Sequence, residues 1–431
     1  MVVTGRLAAI AAGAGLVVMF ALPSWLGVVA ATGLLAVLIA IDTTLAGKGI
    51  GLELSRAALT TVRSGRTTEV ELTVLNAGTR TIRGMLWDDW PDSARADHDS
   101  HHLLLAPNTK THLRTTLRPD YRGDRVAGPV TVRLLGPLGL AGRQIRRDVP
   151  ARLRALPPFR SEKVLAAKVR QLQHLEGRTV TNTRGQGSEF DSFREYVAGD
   201  DVRAIDWRAT ARATDVLVRT WRPERNRHVL MLLDTGRTAA ARIGEGTRLD
   251  VAIEAALLLG GLAAAAGDTA DLLAYDRTIR AEVRGIGGKS LQPKLMHALS
   301  AVVPALVDTD TPGLVRAALR HARRRSLIVW FTSLDGALVE ENLTPVLPVL
   351  AHRHRVLLVS VTDPDVAAAA THRTTIPDIY AAATAESLLA ERALVQESLR
   401  RKGIGVVATS PTRLPEALAD EYLELKRSGA M

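Results

Sequence analysis

The sequence predicts three consecutive folds: an N-terminal transmembrane helical hairpin, an antiparallel β-sandwich, and an α/β domain with a mostly parallel sheet. Three observations lead there. No charged residue occurs between Leu7 and Ile41. From Gly51 to about Pro150, apolar and polar residues alternate between Gly, Pro and Asn turns. Beyond about residue 225, short apolar runs alternate with helical stretches, the rhythm of layered α/β domains. A chain of 431 residues with 46% hydrophobic content has enough apolar surface for more than one core.

The first segment, residues 1–45, is predicted as a hairpin because its apolar run is too long for one crossing. As a single helix it would rise about 50 Å, against a hydrocarbon core of about 30 Å. The stretch "LPSW" offers a Pro-Ser turn and an interfacial Trp25, which divides the run into helices near 7–22 and 25–41. Arg6 precedes the hairpin and Lys48, Arg56 and Arg63 follow it. The positive-inside tendency therefore places both termini and the soluble domains in the cytoplasm, with the lipid bilayer as the first partner. The alternative is a signal peptide ending near residues 22–31, with export of the rest.

Residues 50–150 carry "TTEVELTVLNAG", "HLLLAPNTKTHLRTTLRP" and "GPVTVRLLGPLGLAGRQIRRDV". Apolar residues at every second position suit strands with one buried face. The tract "DHDSHH", with His98, His101 and His102, lies between strand-like runs and reads as a solvated loop. Residues 151–224 form a linker and a dense charged segment. From 225 to 431, "HVLMLLD", "TADLLAYD", "SLIVWFTS", "RVLLVSV" and "GIGVVATS" suit strands buried on both faces, and the stretches between them supply helical crossovers.

Composition narrows the chemistry. With Cys 0 there is no disulfide, thiolate metal site or cysteine nucleophile. Lys+Arg 56 against Asp+Glu 45 gives a net charge of +11, suited to nucleic acid, anionic lipid or an acidic protein. The basic residues are scattered, with "RHARRR" the only dense run, so no specific nucleic acid is expected. "GGKS" lacks the earlier glycine of a phosphate-binding loop, since Val283 stands at that position. No His-Glu-x-x-His helix and no Gly-x-Ser-x-Gly elbow occurs.

In open α/β sheets ligands collect beyond the carboxyl ends of the strands, which directs attention to Asp234, Asp276 and Asp335. "DTGRT" sets Asp234, Gly236 and Thr238 at alternate positions after the first such strand. Oxygen ligands so spaced can converge on Mg²⁺. The spacing resembles the metal-ion-dependent adhesion site of von Willebrand factor A-like (Rossmann-like) domains, with Asp335 as the later acidic residue. Gly236 stands where that pattern carries a hydroxyl, and the pattern's threonine has no clear match. The resemblance implies a degenerate Mg²⁺ site at Asp234, Thr238 and Asp335; a metal-dependent hydrolase built on it is one alternative function, and an arginine-rich nucleic-acid-binding protein another.

The segment "GSEFDSFREYVAGDDVRAIDWRATAR" is the densest in the chain. Phe190, Phe193, Tyr196, Trp207 and Trp221 fall close together in a sequence that is 4% aromatic. Phe190, Phe193 and Val197 share a face at helical spacing, which predicts a short amphipathic helix ended at Gly199. Asp200, Asp201, Arg203, Asp206, Arg208 and Arg212 place carboxylates beside guanidiniums, so the acids are expected to stay ionised and to be poor proton donors. A structural charge network and a docking surface both remain open. The segment, with "RTWRPERNRHVLMLLDTGRT" after it, resembles the signature of domain-of-unknown-function family 58. That family is associated with MoxR-type AAA+ ATPases, which implies an adaptor or chaperone-like role. The matching signature positions are Glu189, Phe190, Arg194, Glu195, Tyr196, Gly199, Asp200, Arg203, Asp206, Trp207 and Arg212.

Overall fold

The computed structural model describes residues 2–21, 23–46, 49, 51–179, 189–197, 200–222 and 227–429. The chain divides into two compact units, Met1–Pro158 and Phe159–Met431.

The N-terminal unit begins with two apolar helices, Gly5–Ala21 and Trp25–Leu45. Ser24 starts the second one, its hydroxyl accepting from the Gly27 N–H. By length and composition the helix Trp25–Leu45 can cross a membrane, and the 17-residue Gly5–Ala21 is a shorter apolar helix. Three sheets follow. Five strands run in the order Val2–Val3, Ala141–Arg147, Val130–Leu135, Ile82–Trp87, Ser100–Leu105, all antiparallel. Four run Leu52–Arg56, Thr68–Asn76, Thr109–Leu117, Ala96–Asp97, also antiparallel. Leu72 and Val74 of the second sheet pack with Leu86, Val130 and Val132 of the first in one buried cluster, as in a sandwich.

The third sheet departs from the all-antiparallel expectation, because Arg152–Leu156 pairs parallel with Leu59–Arg63 and antiparallel with Gly123–Val126. It also extends this unit past residue 150: Leu153 and Ala155 are fully buried at alternate positions, so the segment is strand and not linker. The histidine tract is corrected likewise. His101 and His102 lie inside the strand Ser100–Leu105 and so point to opposite faces, while His98 occupies the left-handed turn before it at φ 56°.

Two aspartates hold this unit together. Asp88 pairs with Arg56, both side chains fully buried, and also accepts from the Thr115 hydroxyl at 2.8 Å and the Trp90 indole at 3.2 Å. Asp42, in the last turns of the second apolar helix, is equally buried. Its carboxylate accepts three backbone N–H groups of one loop: Leu138 at 2.8 Å, Leu140 at 2.7 Å and Ala141 at 2.8 Å. Glycine is required at 136, where a Cβ would lie 2.1 Å from Asp42 Oδ1. From the other side Thr4 donates its N–H and hydroxyl to the same loop. The two apolar helices are thus keyed to the sandwich through "GPLGL", not merely tethered.

The C-terminal unit is built on a mixed six-stranded sheet in the order Ile279–Gly287, Thr269–Tyr275, His228–Asp234, Leu327–Phe331, Arg355–Val361, Gly405–Thr409. Only the edge strand Ile279–Gly287 is antiparallel. Leu230, Leu232, Trp330 and Leu358 are buried to 1% exposure or less, as expected of strands covered on both faces. The helix Arg248–Ala265 opens with a capping box between Thr247 and Asp250. That cap sets Arg248 in the first helical turn, near the strand ends.

Candidate functional site

Two places in the C-terminal unit gather polar side chains: the strand ends around Asp234 and the signature segment.

Asp234 closes the strand His228–Asp234 and is 8% exposed. Its Oδ1 accepts from the Gly236 N–H at 2.8 Å and the Thr309 hydroxyl at 2.5 Å; its Oδ2 accepts from the Thr332 hydroxyl at 3.1 Å. Thr309 explains Gly236, since a Cβ at 236 would lie 2.2 Å from Thr309 Oγ1 and 2.8 Å from the Val307 carbonyl. The hydroxyl absent from the "DTGRT" loop is absent because Thr309 fills its space. Asp335 accepts from Ser333 Oγ at 2.6 Å and Arg392 Nη2 at 2.9 Å. Burial alone would raise its carboxyl, but those bonds and the Arg248 charge hold it below its usual range. Asp276 is a loop cap, taking the Arg277 and Thr278 N–H groups and Arg280 Nε.

Beside Asp234 a small pocket is lined by Asp234, Thr238, Arg248, Thr332 and Ser333, among others. Arg248 Nη1 reaches the Thr238 carbonyl at 3.3 Å. Burial draws the guanidinium below its usual range; Asp335 opposes that, Arg392 adds to it, and Asp363 and Asp234 oppose it. The sequence reading missed Arg248, Thr309 and Thr332. The capping box before Arg248 was the legible signal for the first; the threonines come from loops remote in sequence. Asp234 and Thr238 line this pocket, while Asp335 is turned to Ser333 and Arg392. Both carboxylates accept protein donors, the Arg248 guanidinium lines the same pocket as Asp234, and no group of three or more His, Cys, Asp or Glu side chains that could hold a metal ion occurs among the described residues.

The signature is a β-hairpin, not the expected amphipathic helix. Glu189–Glu195 pairs antiparallel with Leu217–Arg222, with a bulge between Phe190 and Ser192. A bulge adds one residue to a two-residue repeat, so positions 190 and 193 acquire a spacing that imitates a helix. Gly199 lies outside the described residues, as do the side chains of Glu189 and Phe190. Arg194 grips Asp200 with both Nη atoms, at 2.7 and 2.5 Å, which raises the Arg194 pKa. Asp200 also accepts the Val197 N–H at 3.0 Å. Asp206 caps the short helix Trp207–Thr210, accepting from Arg208 N and Ala209 N, and takes Arg219 Nε at 2.6 Å. The Ala209 N–H and then the Arg219 bond hold its carboxyl below the usual range. Both acids are anchors held by partners within the segment.

Other signature residues face solvent. Glu195, Arg203 and Arg212 are exposed, with Tyr196 at 37%, Val197 at 62%, Val202 at 60% and Trp207 at 67%. Trp207 is the first residue of the short helix that Asp206 caps.

The fold and sites thus define a protein with N-terminal apolar helices, a sandwich-like β unit and a mixed α/β sheet. Residues 192–377 match the family described as "Protein of unknown function DUF58". Uncharacterized proteins of Mycobacterium bovis and Mycobacterium tuberculosis are 29% identical over 182 residues, 42% of this chain. The chain spans 56% of the length of these curated relatives. Solved structures similar to parts of it include the CARDB domain of a Pyrococcus furiosus protein, with a TM-score of 0.16 and 15% identity over 23% of this chain and 93% of that one. A C. elegans MSP family member has a TM-score of 0.18 and 6% identity over 24% of this chain and 97% of its own.

Proposed function

We propose that the chain is a two-pass membrane-anchored adaptor of the DUF58 family, with its soluble units in the cytoplasm. Its C-terminal unit is read as von Willebrand factor A-like, and its signature hairpin as the docking surface for a MoxR-type AAA+ ATPase in complex assembly or envelope-related work.

One observation carries the reading. The signature's acids Asp200 and Asp206 are consumed by internal partners, whereas Val197, Val202 and Trp207 stay in solvent. A segment that holds two of its acids internally and exposes an aromatic and two aliphatic side chains beside charged ones has the mix of an interface, with aromatic anchors inside a polar rim. The basic flanks Arg6, Arg56 and Arg63 support the cytoplasmic topology. The Asp42 clamp supports a fixed relation between the apolar helices and the sandwich.

The test is a crosslinked pull-down of the full-length protein from its native membrane, with and without Mg²⁺ and ATP, using wild type, Glu195→Ala and Trp207→Ala as baits. Enrichment of the ATPase by wild type, reduced with either variant, is the expected result. An abundant, intact bait that enriches no ATPase contradicts the reading.

A further inference from the structure

The β unit has two ends of different charge. Buried polar side chains gather the loops that close the end where the apolar helices enter. Asp42 holds residues 138–141. Asn76, fully buried, donates its amide to the Arg80 carbonyl at 2.9 Å and to the Leu105 and Ala106 carbonyls at 3.1 Å, and accepts the Gly78 N–H at 3.1 Å. The Ala77 N–H reaches the Gly51 carbonyl, just past the second apolar helix, at 2.7 Å. Residues 1–6, 76–83, 105–111 and 136–142, which build this rim, contain no Asp or Glu. Their bases, Arg6, Arg80, Arg83 and Lys110, are all exposed, and among the described residues none of them pairs with a carboxylate. At the opposite end the bases are matched: Arg154 donates to Asp124 at 2.8 Å, and Arg95 pairs with Asp120.

Apolar side chains stand among the rim's bases. Leu138, in the loop keyed by Asp42, is 47% exposed; Leu104, opposite Arg83 in the sheet, is 70% exposed. A Cβ at Gly139 would lie 3.1 Å from Arg6 Nη1, so that guanidinium lies against the same loop. We propose that this rim binds the phosphate headgroups of anionic phospholipids, with Leu138 seated among the first acyl carbons, a role that rests on the membrane-anchored reading of the helices. Each Lys or Arg beside an anionic leaflet raises the occupancy of acidic lipid about fivefold, and long basic side chains keep their stems on apolar surface while their heads reach phosphate. Charge and continuity select lipid as the occupant. The bases lie where the spans meet the sandwich, and the rim carries no carboxylate to neutralise them, so the nearest source of negative charge is the bilayer the helices enter.

The chain has no cysteine, so Leu138→Cys supplies a single thiol for an environment-sensitive fluorophore. Full-length protein labelled there is placed, one copy per disc, in phosphatidylcholine nanodiscs with increasing fractions of phosphatidylglycerol. The expected result is a blue shift that is small in pure phosphatidylcholine, saturates with phosphatidylglycerol, and reverses at about 0.5 M NaCl. Arg80→Gln and Lys110→Gln, both at exposed positions, should each raise the phosphatidylglycerol fraction at half-effect about fivefold. A second label at Leu34→Cys, within the helix Trp25–Leu45 and 62% exposed, reports insertion through quenching by spin-labelled acyl chains. No quenching at 34 would overturn the membrane reading and the headgroup surface with it. Quenching at 34 would leave the anchor standing and overturn the headgroup surface alone if the label at 138 ignores phosphatidylglycerol, keeps its response in both charge variants, or responds only when two copies share a disc.

Discussion

The two compact units bury aspartates in opposite ways. In the N-terminal unit, Asp42 and Asp88 are matched to the donors around them, with three backbone N–H groups for one and a buried guanidinium, a hydroxyl and an indole for the other. In the C-terminal unit, the buried Asp234 also accepts three donors, yet buried guanidinium nitrogens of Arg248 and Arg392 are left without a partner. A matched polar network specifies architecture; one with surplus buried donors specifies it less completely.

The largest effect expected from this contrast is at Asp42. Asp42→Ala leaves three N–H groups of the 138–141 loop without their acceptor, and the expected loss is about 3–5 kcal/mol. Unfolding of the full-length protein in detergent measures it, with limited proteolysis between residues 136 and 141 as a local readout. A loss below about 1 kcal/mol would show that the helices are tethered and not keyed.

Next comes Gly236→Ser, which restores the hydroxyl of the resembled metal loop. Its Cβ would meet Thr309 Oγ1 at 2.2 Å, so the substitution should destabilise by about 1–3 kcal/mol without producing a Mg²⁺ response. A stable variant that gains Mg²⁺ binding would remove the distinction between the two kinds of network.

A smaller, pH-dependent effect belongs to Asp271. Burial alone would raise this carboxyl, but His228, 3.2 Å away, His321 at 3.7 Å and the Gly285 N–H more than reverse it, leaving it well below the carboxylate range. A depressed folded-state pKa contributes stability that is full above the unfolded value of about 3.9 and is lost as pH falls below it. Stability of the C-terminal unit should therefore decline below about pH 4, with a shallower slope in Asp271→Asn. Equal slopes for the two proteins would exclude Asp271 as a source. The smallest stability effect is expected for Trp207→Ala, within about 0.5 kcal/mol, because the side chain is 67% exposed.

The legibility of the sequence followed the range of the interactions. Strands such as His228–Asp234 and Arg355–Val361 were readable because burial on both faces leaves continuous apolar runs. The alternating strand Thr68–Asn76 was readable from its two-residue rhythm. The signature hairpin was misread because its bulge broke that rhythm between Phe190 and Ser192, and because its partner strand lies more than twenty residues away. Asp42 went unnoticed since its partners are 96 to 99 residues distant. The Asp234 loop was found, but its chemistry depended on Thr309 and Arg248, which only the tertiary fold brings near.

The central claim is that the signature holds Asp200 and Asp206 with internal partners and docks through what remains exposed, Trp207 above all. The most direct measurement is the affinity of purified full-length protein, in nanodiscs, for a purified MoxR-type AAA+ ATPase, comparing wild type with Trp207→Ala at matched unfolding midpoints. The account predicts at least tenfold weaker binding, the loss of about 1.4 kcal/mol expected of an aromatic anchor. Equal affinity of the two proteins, both folded, would contradict it.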